Sequence, residues 1–209
     1  MLPVTDCSRI RAVLASRNRH KLDELRAALP DWEIEPLEAD GRPEEIGETY
    51  YENALLKARF GRSRCDGDAW TLGEDSGIES VALDGAPGLH SARWTEGLDQ
   101  AEGLDQADAL LARLADEPER RARMVTELVA LSPDGEELRG HGVLEGELAS
   151  ERRGSGGFGY DPIFIPAGET RTVAEIGDDW KRRNSHRARA AQALDAAMRR
   201  RAAGHGGGS

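Results

Sequence analysis

Strand-like and helix-like stretches alternate along this chain, and that alternation restricts it to a mixed α/β architecture. Residues 10–15 form a short apolar run suited to a buried strand, closed by the polar turn Ser16-Arg17-Asn18. Leu22, Leu25 and Leu29 follow at helical spacing, and Pro30 stops the helix. Thr49, with Glu52 three residues later, is a capping-box pattern that opens a second helix through Ala54, Leu55 and Ala58. Residues 69–73 and 78–83 read as strands flanking a turn, Glu74-Asp75-Ser76-Gly77. Residues 123–131 and 137–148 read as a hairpin around Ser132-Pro133-Asp134-Gly135. A short strand at 163–165 and a helix over about 185–201 close the pattern, while 31–47 reads as acidic and irregular. No linker divides the chain, so 1–203 is expected as a single domain and 204–209 as a disordered tail. The hexapeptide EGLDQA occurs twice, at 96–101 and 102–107, ahead of a helix marked by Leu104, Leu110, Leu111 and Leu114. Two copies of six residues are a local duplication rather than a repeat fold.

At 209 residues the chain is long enough to bury a substantial core. No apolar run approaches the roughly 18 residues of a membrane span, so no membrane partner is expected. Cys7 and Cys65 make neither a disulfide framework nor a metal knuckle, which suits a cytoplasmic location. The net charge of −11 argues against a general nucleic-acid binder. That charge is uneven: residues 1–150 hold 17 basic and 32 acidic groups, and 151–209 hold 11 and 7. Only three of the 28 cations are lysines, Lys21, Lys57 and Lys181. An arginine-biased chain keeps lysine where a compact ammonium does what a guanidinium cannot.

Four constellations can carry chemistry. The turn at Ser16–Asn18 opens a helix whose free N–H groups and positive dipole end suit a phosphate, and Lys21 sits in its first turn. Glu44, Glu45 and Glu48 before one helix, and Glu74 with Asp75 in the turn, offer hard oxygen ligands for Mg²⁺ and a base for a water. Gly156-Gly157-Phe158-Gly159-Tyr160-Asp161-Pro162 places two of ten aromatics among glycines, where backbone approaches a ligand closely and a ring face can stack on a base. Lys181 to Arg189 is basic, with Ser185 capping the last helix and His186 and Arg187 in its first turn. Together they describe a site for a magnesium-bound nucleoside polyphosphate, although each alone reads equally as a capped helix, surface acid, core turn or solvated helix end.

The order of these stretches resembles the Ham1/RdgB-like inosine triphosphate pyrophosphatase family. LASRNRHKLDEL (14–25), EEIGETYYENALLKA (44–58), EDSGIESVALDGAPGLHSARW (74–94), GSGGFGYDPIF (154–164) and SHRARA (185–190) carry the resemblance. It implies a long mixed β-sheet flanked by helices, two lobes around a central cleft, and a homodimer. The implied reaction is Mg²⁺-dependent hydrolysis of ITP, dITP and XTP to the monophosphate and pyrophosphate. Residue by residue, it implies phosphate contacts from Ser16, Asn18 and Lys21, a metal ligand at Glu45, and an acid/base at Asp75 beside the metal. Lys57 would stabilise the triphosphate and Ser76 would touch substrate. Phe158, Gly159, Tyr160 and Asp161 would wall the nucleobase, and Lys181, His186 and Arg187 would complete the pocket.

Three positions depart from the family pattern. Glu74 stands where a first aspartate is common, Arg17 where glycine is usual, and Glu127 within the otherwise apolar run MVTELVAL. The neighbouring readings are a Maf-like pyrophosphatase for modified pyrimidine nucleotides and a nucleotide- or RNA-binding module built on the basic C-terminal helix.

Overall fold

The computed structural model describes residues 9–41, 43–65, 67–96 and 104–205. Ile10–Leu14 forms β1, with Ala12 and Leu14 turned inward. Asn18 caps α1 (Arg19–Ala28), which buries Leu22 and Leu25. Trp32–Pro36 then forms β2 and pairs in parallel with β1. Strand β2 lies inside the stretch expected to be irregular. Its period-2 signal rests on only Trp32 and Ile34, both buried, between the exposed Glu33 and Glu35.

The expected capping box forms at Thr49 and Glu52 and opens α2 (Tyr50–Arg62). The chain then enters β3 (Trp70–Ser80), parallel to β1. Here the structure corrects the sequence reading. Glu74 to Gly77 is not a turn between two strands but the middle of one uninterrupted strand, paired from Thr71↔Leu131 to Ser80↔Ala122. Gly73, in the middle of this strand, makes room for a neighbour. A Cβ there would lie 1.9 Å from the Ala54 carbonyl oxygen of α2.

A short helix α3 (Gln106–Arg113), capped by Asp105, leads to the expected hairpin of β4 (Arg121–Leu131) and β5 (Glu137–Leu148). Residues 97–103, which hold most of the duplicated hexapeptide, lie outside the described residues. Strand β6 (Phe164–Pro166) completes a six-stranded mixed sheet in the order β2-β1-β3-β4-β5-β6. Two short helices not read from the sequence, α4 (Val173–Ile176) and α5 (Asp178–Asn184), precede α6 (His186–His205). Helix α6 runs two residues into the expected tail, and 206–209 lie outside the described residues.

Helix α2 covers one face of the sheet, where Ala54 and Ala58 pack on Val129 and Leu131. On the other face lie two separate apolar clusters. One joins α1 and α6 to the sheet through Leu22, Leu25 and Leu194 against Leu14, Leu72 and Leu128. The second packs Leu110 and Leu114 with Ile78, Met124, Leu144 and Phe164. Strand alternation puts Leu72, Glu74, Ser76 and Ile78 on this face, so Glu74 and Ser76 form a polar strip between the two clusters. That strip positions the site.

Candidate active site

The turn after β1 is organised by its own side chains. Ser16 Oγ accepts a hydrogen bond from the Asn18 N–H at 3.2 Å, and Asn18 Oδ1 accepts one from the Lys21 N–H at 3.2 Å. Arg17 needs no glycine-like backbone, because Asp84 is the one non-glycine with a left-handed φ among the described residues. Its guanidinium reaches across to donate to the Gly41 carbonyl at 3.0 Å, tying the turn to the segment that leads to Glu45.

On the α2 face, Asn53 and Lys57 lie one helical turn apart and both point at β3. The Lys57 ammonium is 2.7 Å from Asp75 Oδ1 and 2.7 Å from Glu45 Oε1, and it also donates to the Glu74 carbonyl at 3.2 Å. Asn53 Nδ2 donates to the second oxygen of Asp75 at 3.3 Å. Arg93 closes the other side of Glu45 at 2.5 Å. Burial pushes the Asp75 carboxyl above the ordinary carboxylate value, and Lys57 offsets only part of that rise. The same burial works against the Lys57 charge, but Asp75 and Glu45 outweigh it and the ammonium is strengthened.

Glu45 and Asp75 converging on one ammonium is a donor set that fits a hard divalent cation, which takes one or two carboxylates and completes its shell with water and phosphate oxygens. Among the described residues no three histidines, cysteines or carboxylates cluster as a closed cage. Glu74 does not join the pair, because alternation along β3 sends its side chain to the opposite face.

There the Glu74 carboxylate is fully buried between two cations. Lys21 Nζ lies 2.6 Å from one oxygen, and Arg187 Nε donates to the other at 3.0 Å. Burial alone would raise its pKa, but Lys21 and Arg187 hold it far below the usual range. Arg187 donates also to Glu24 at 2.5 Å and to Ser76 Oγ at 3.0 Å. Lys181 bridges Glu24 and Asp161 at 2.5 Å each, and its ammonium sits 4.3 Å from the centre of the Phe158 ring. Asp161 Oδ2 also accepts the Phe158 N–H at 2.8 Å, and the Tyr160 hydroxyl donates to the Ser91 carbonyl at 2.9 Å. His186 is buried with no hydrogen-bond partner at Nδ1. Burial, reinforced by the neighbouring Arg187 charge, pushes its pKa well down and keeps the imidazole neutral.

Two cavities follow from this arrangement. One of about 550 Å³ is lined by Ser16, Arg17, Asn18, Lys21, Glu45, Lys57 and Arg93. The other, about 180 Å³, is lined by Ser76, Phe158, Gly159, Tyr160, Asp161, Lys181, His186 and Arg187. Asn18 and Lys21 line both. The sequence-derived residues therefore come together, with two refinements. Lys181 stands on the aromatic side rather than with Lys21 and Lys57, and Asp75 lies beneath Lys57, reached through it and Asn53. Sequence reasoning misses Asn53, Arg93 and Glu24 as members of the site. Asn53 carries a usable signal, lying four residues before Lys57 on the same helix face.

A family model described as the Ham1 family matches residues 12–197. The chain belongs to the Ham1 family. A protein of Symbiobacterium thermophilum named dITP/XTP pyrophosphatase is 48% identical, covering 88% of this chain and 92% of its own. One of the same name from Deinococcus deserti is 42% identical, covering 90% of this chain and 88% of its own. Among solved structures, the Ham1 protein of Staphylococcus aureus matches with a TM-score of 0.77 at 33% identity, covering 91% of this chain and 99% of that one. A HAM1 protein of Coxiella burnetii gives 0.76 at 35% identity with the same coverage. The long mixed sheet expected from the resemblance is thus the Ham1 fold, and positions 17 and 74 lie within the matched residues. Glu127, the third departure, is buried beside Asp75 in the sheet register and is held by Arg139 at 2.6 Å and His141 at 2.7 Å.

Proposed function

We propose that this Ham1-family chain hydrolyses purine nucleoside triphosphates with a keto group at C6 (ITP, dITP and XTP) to the monophosphate and pyrophosphate, clearing non-standard bases from the nucleotide pool. Its relatives of 42–48% identity carry the name dITP/XTP pyrophosphatase. The observation that carries the reading is the pair of cavities joined at Asn18 and Lys21, one rich in cations and carboxylates and the other aromatic. No helix among the described residues is long and apolar enough to cross a membrane, and none is needed for a freely diffusing substrate.

In this reading the phosphates lie in the larger cavity against Ser16, the α1 N-terminus, Lys21 and Lys57, whose charges offset the negative charge that builds on the leaving pyrophosphate. Glu45 and Asp75 would hold Mg²⁺, which when bound supplies Lewis-acid neutralisation of the phosphate oxygens. Asp75, its affinity for protons raised by burial, takes the proton from the attacking water. Asn53 and Lys57 keep that carboxylate oriented.

The base enters the smaller cavity against Phe158, with Gly159, Tyr160 and Asp161 completing the wall. His186 lines the same cavity as a neutral imidazole. Arg187 uses N–H groups on Glu74, Glu24 and Ser76 and, of the five a guanidinium carries, keeps others for a keto oxygen. An amino group at C6 donates instead of accepting, so adenine is disfavoured. The two apolar clusters of the sheet face would be the cores of two lobes, with the nucleotide between them and a homodimer as the assembled form.

Pyrophosphate release from dITP, XTP, dATP, dUTP and m5UTP, each with and without Mg²⁺, tests the reading. Magnesium-dependent turnover that favours dITP and XTP is expected. Preference for dUTP or m5UTP would favour the Maf-like alternative and overturn it.

A further inference from the structure

The first turn of α1 holds, beside Asn18 and Lys21, an exposed imidazole that the chemistry above does not use. The His20 ring stacks on Phe158 with centroids 4.9 Å apart and planes 16° from parallel. His20 does not line the 180 Å³ base cavity. It lines a neighbouring cavity of about 770 Å³ that shares Phe158 and Lys181 with the base cavity. It therefore meets the aromatic wall from outside the pocket. The wall needs such support, because Phe158 sits between Gly157 (φ +71°) and Gly159 (φ +60°), where backbone freedom is greatest. The Phe158 N–H is anchored by Asp161, but that bond fixes the backbone and not the ring.

We propose that His20 is a positioning residue for nucleobase recognition: stacked on the outside of Phe158, it holds that ring as the wall of the base cavity. It thereby ties the helix that carries the phosphate contacts to the turn that carries the base contact. This rests on the reading of the smaller cavity as the base site. Two ligands separate it from a general effect on α1. Inosine monophosphate needs the aromatic wall, whereas inorganic tripolyphosphate needs only the phosphate side.

The test is calorimetric titration of both ligands into the full chain and into His20→Ala and His20→Phe. His20→Ala should weaken inosine monophosphate about two- to ten-fold, the range of an aromatic pair. It should leave tripolyphosphate unchanged, and His20→Phe should restore the loss. Unchanged inosine monophosphate binding in His20→Ala would overturn the proposal. So would equal weakening of both ligands without rescue by His20→Phe, since His20 would then act only on the helix. Turnover of dITP by the unmodified chain, measured alongside, tests the activity separately. A chain that cleaves dITP but is indifferent to His20→Ala defeats the positioning role alone. A chain inert towards dITP that still shows the selective loss defeats the activity alone.

Discussion

Glu74 and Asp75 are neighbours in sequence and strangers in space. Asp75 faces α2, with Lys57, Asn53 and Glu45 around it, and keeps 8% of its surface exposed. Glu74 faces α1 and α6, is 1% exposed, and is locked between Lys21 and Arg187. Burial dominates for Asp75 and raises its proton affinity, while two cations dominate for Glu74 and remove it from acid–base chemistry. One strand thus separates a carboxylate of raised proton affinity from one locked in ion pairs simply by alternating its faces. The longer reach of a glutamate suits this position, where it spans to Lys21 and Arg187.

The sharpest way to break the comparison is to neutralise the two acids in turn. Asp75→Asn should lower kcat for dITP by about 10²–10⁴-fold, the usual worth of a general base, while inosine monophosphate binding stays within about two-fold. Near-normal turnover would remove Asp75 from the chemistry. Glu74→Ala should instead act on the fold. Stranding Lys21 and leaving Arg187 with Glu24 as its one carboxylate should cost about 3–5 kcal/mol of stability, read by chemical denaturation. A stability loss in Asp75→Asn as large as that in Glu74→Ala would erase the distinction.

The next effect is one of pH. His186 has a folded-state pKa well below its unfolded value, so between the two the unfolded chain binds the extra proton and stability rises with pH. Stability should therefore fall as the pH drops below about 6.5, with a slope of up to about 1.4 kcal/mol per pH unit. Denaturation midpoints from pH 7.5 to 5.5 should show this slope, and His186→Asn should flatten it. Glu74, held low by its two cations, adds a further loss only below about 4.3, where the unfolded carboxyl takes up its proton. The smallest effect belongs to Arg17→Gly. Losing one exposed hydrogen bond to Gly41 should change stability by no more than about 1 kcal/mol, and KM for dITP should rise less than about three-fold.

Local chemistry makes much of this molecule legible in its sequence. The capping box at Thr49, the hairpin around Ser132–Gly135 and the strand–turn–helix at 10–28 each announce themselves through a few neighbouring residues, and all three form. The site residues are legible as types, and all of them but Asp75 line two adjoining cavities. What escapes is decided by long-range packing. The glycine at 73 admits a helix backbone against the strand, a packing role that nothing in the local sequence announces. Strand β2 is hidden by its charged outer face, and α4 and α5 are too short for a helical period. The opposite orientation of Glu74 and Asp75 is invisible while 74–77 reads as a turn, because alternation of faces holds only within a strand. Glu127 looks like a flaw in an apolar strand, yet it faces Arg139 and His141 on the adjoining β5.

In the proposed function the site's two halves would serve one reaction, cleavage between the α- and β-phosphates of a keto-purine triphosphate in the joined cavities. Its most direct test is to incubate the full chain with dITP and Mg²⁺ and quantify deoxyinosine monophosphate, pyrophosphate and orthophosphate over a single time course. Equimolar monophosphate and pyrophosphate with no early orthophosphate is the predicted result. Deoxyinosine diphosphate with orthophosphate, or no product at all, would contradict it.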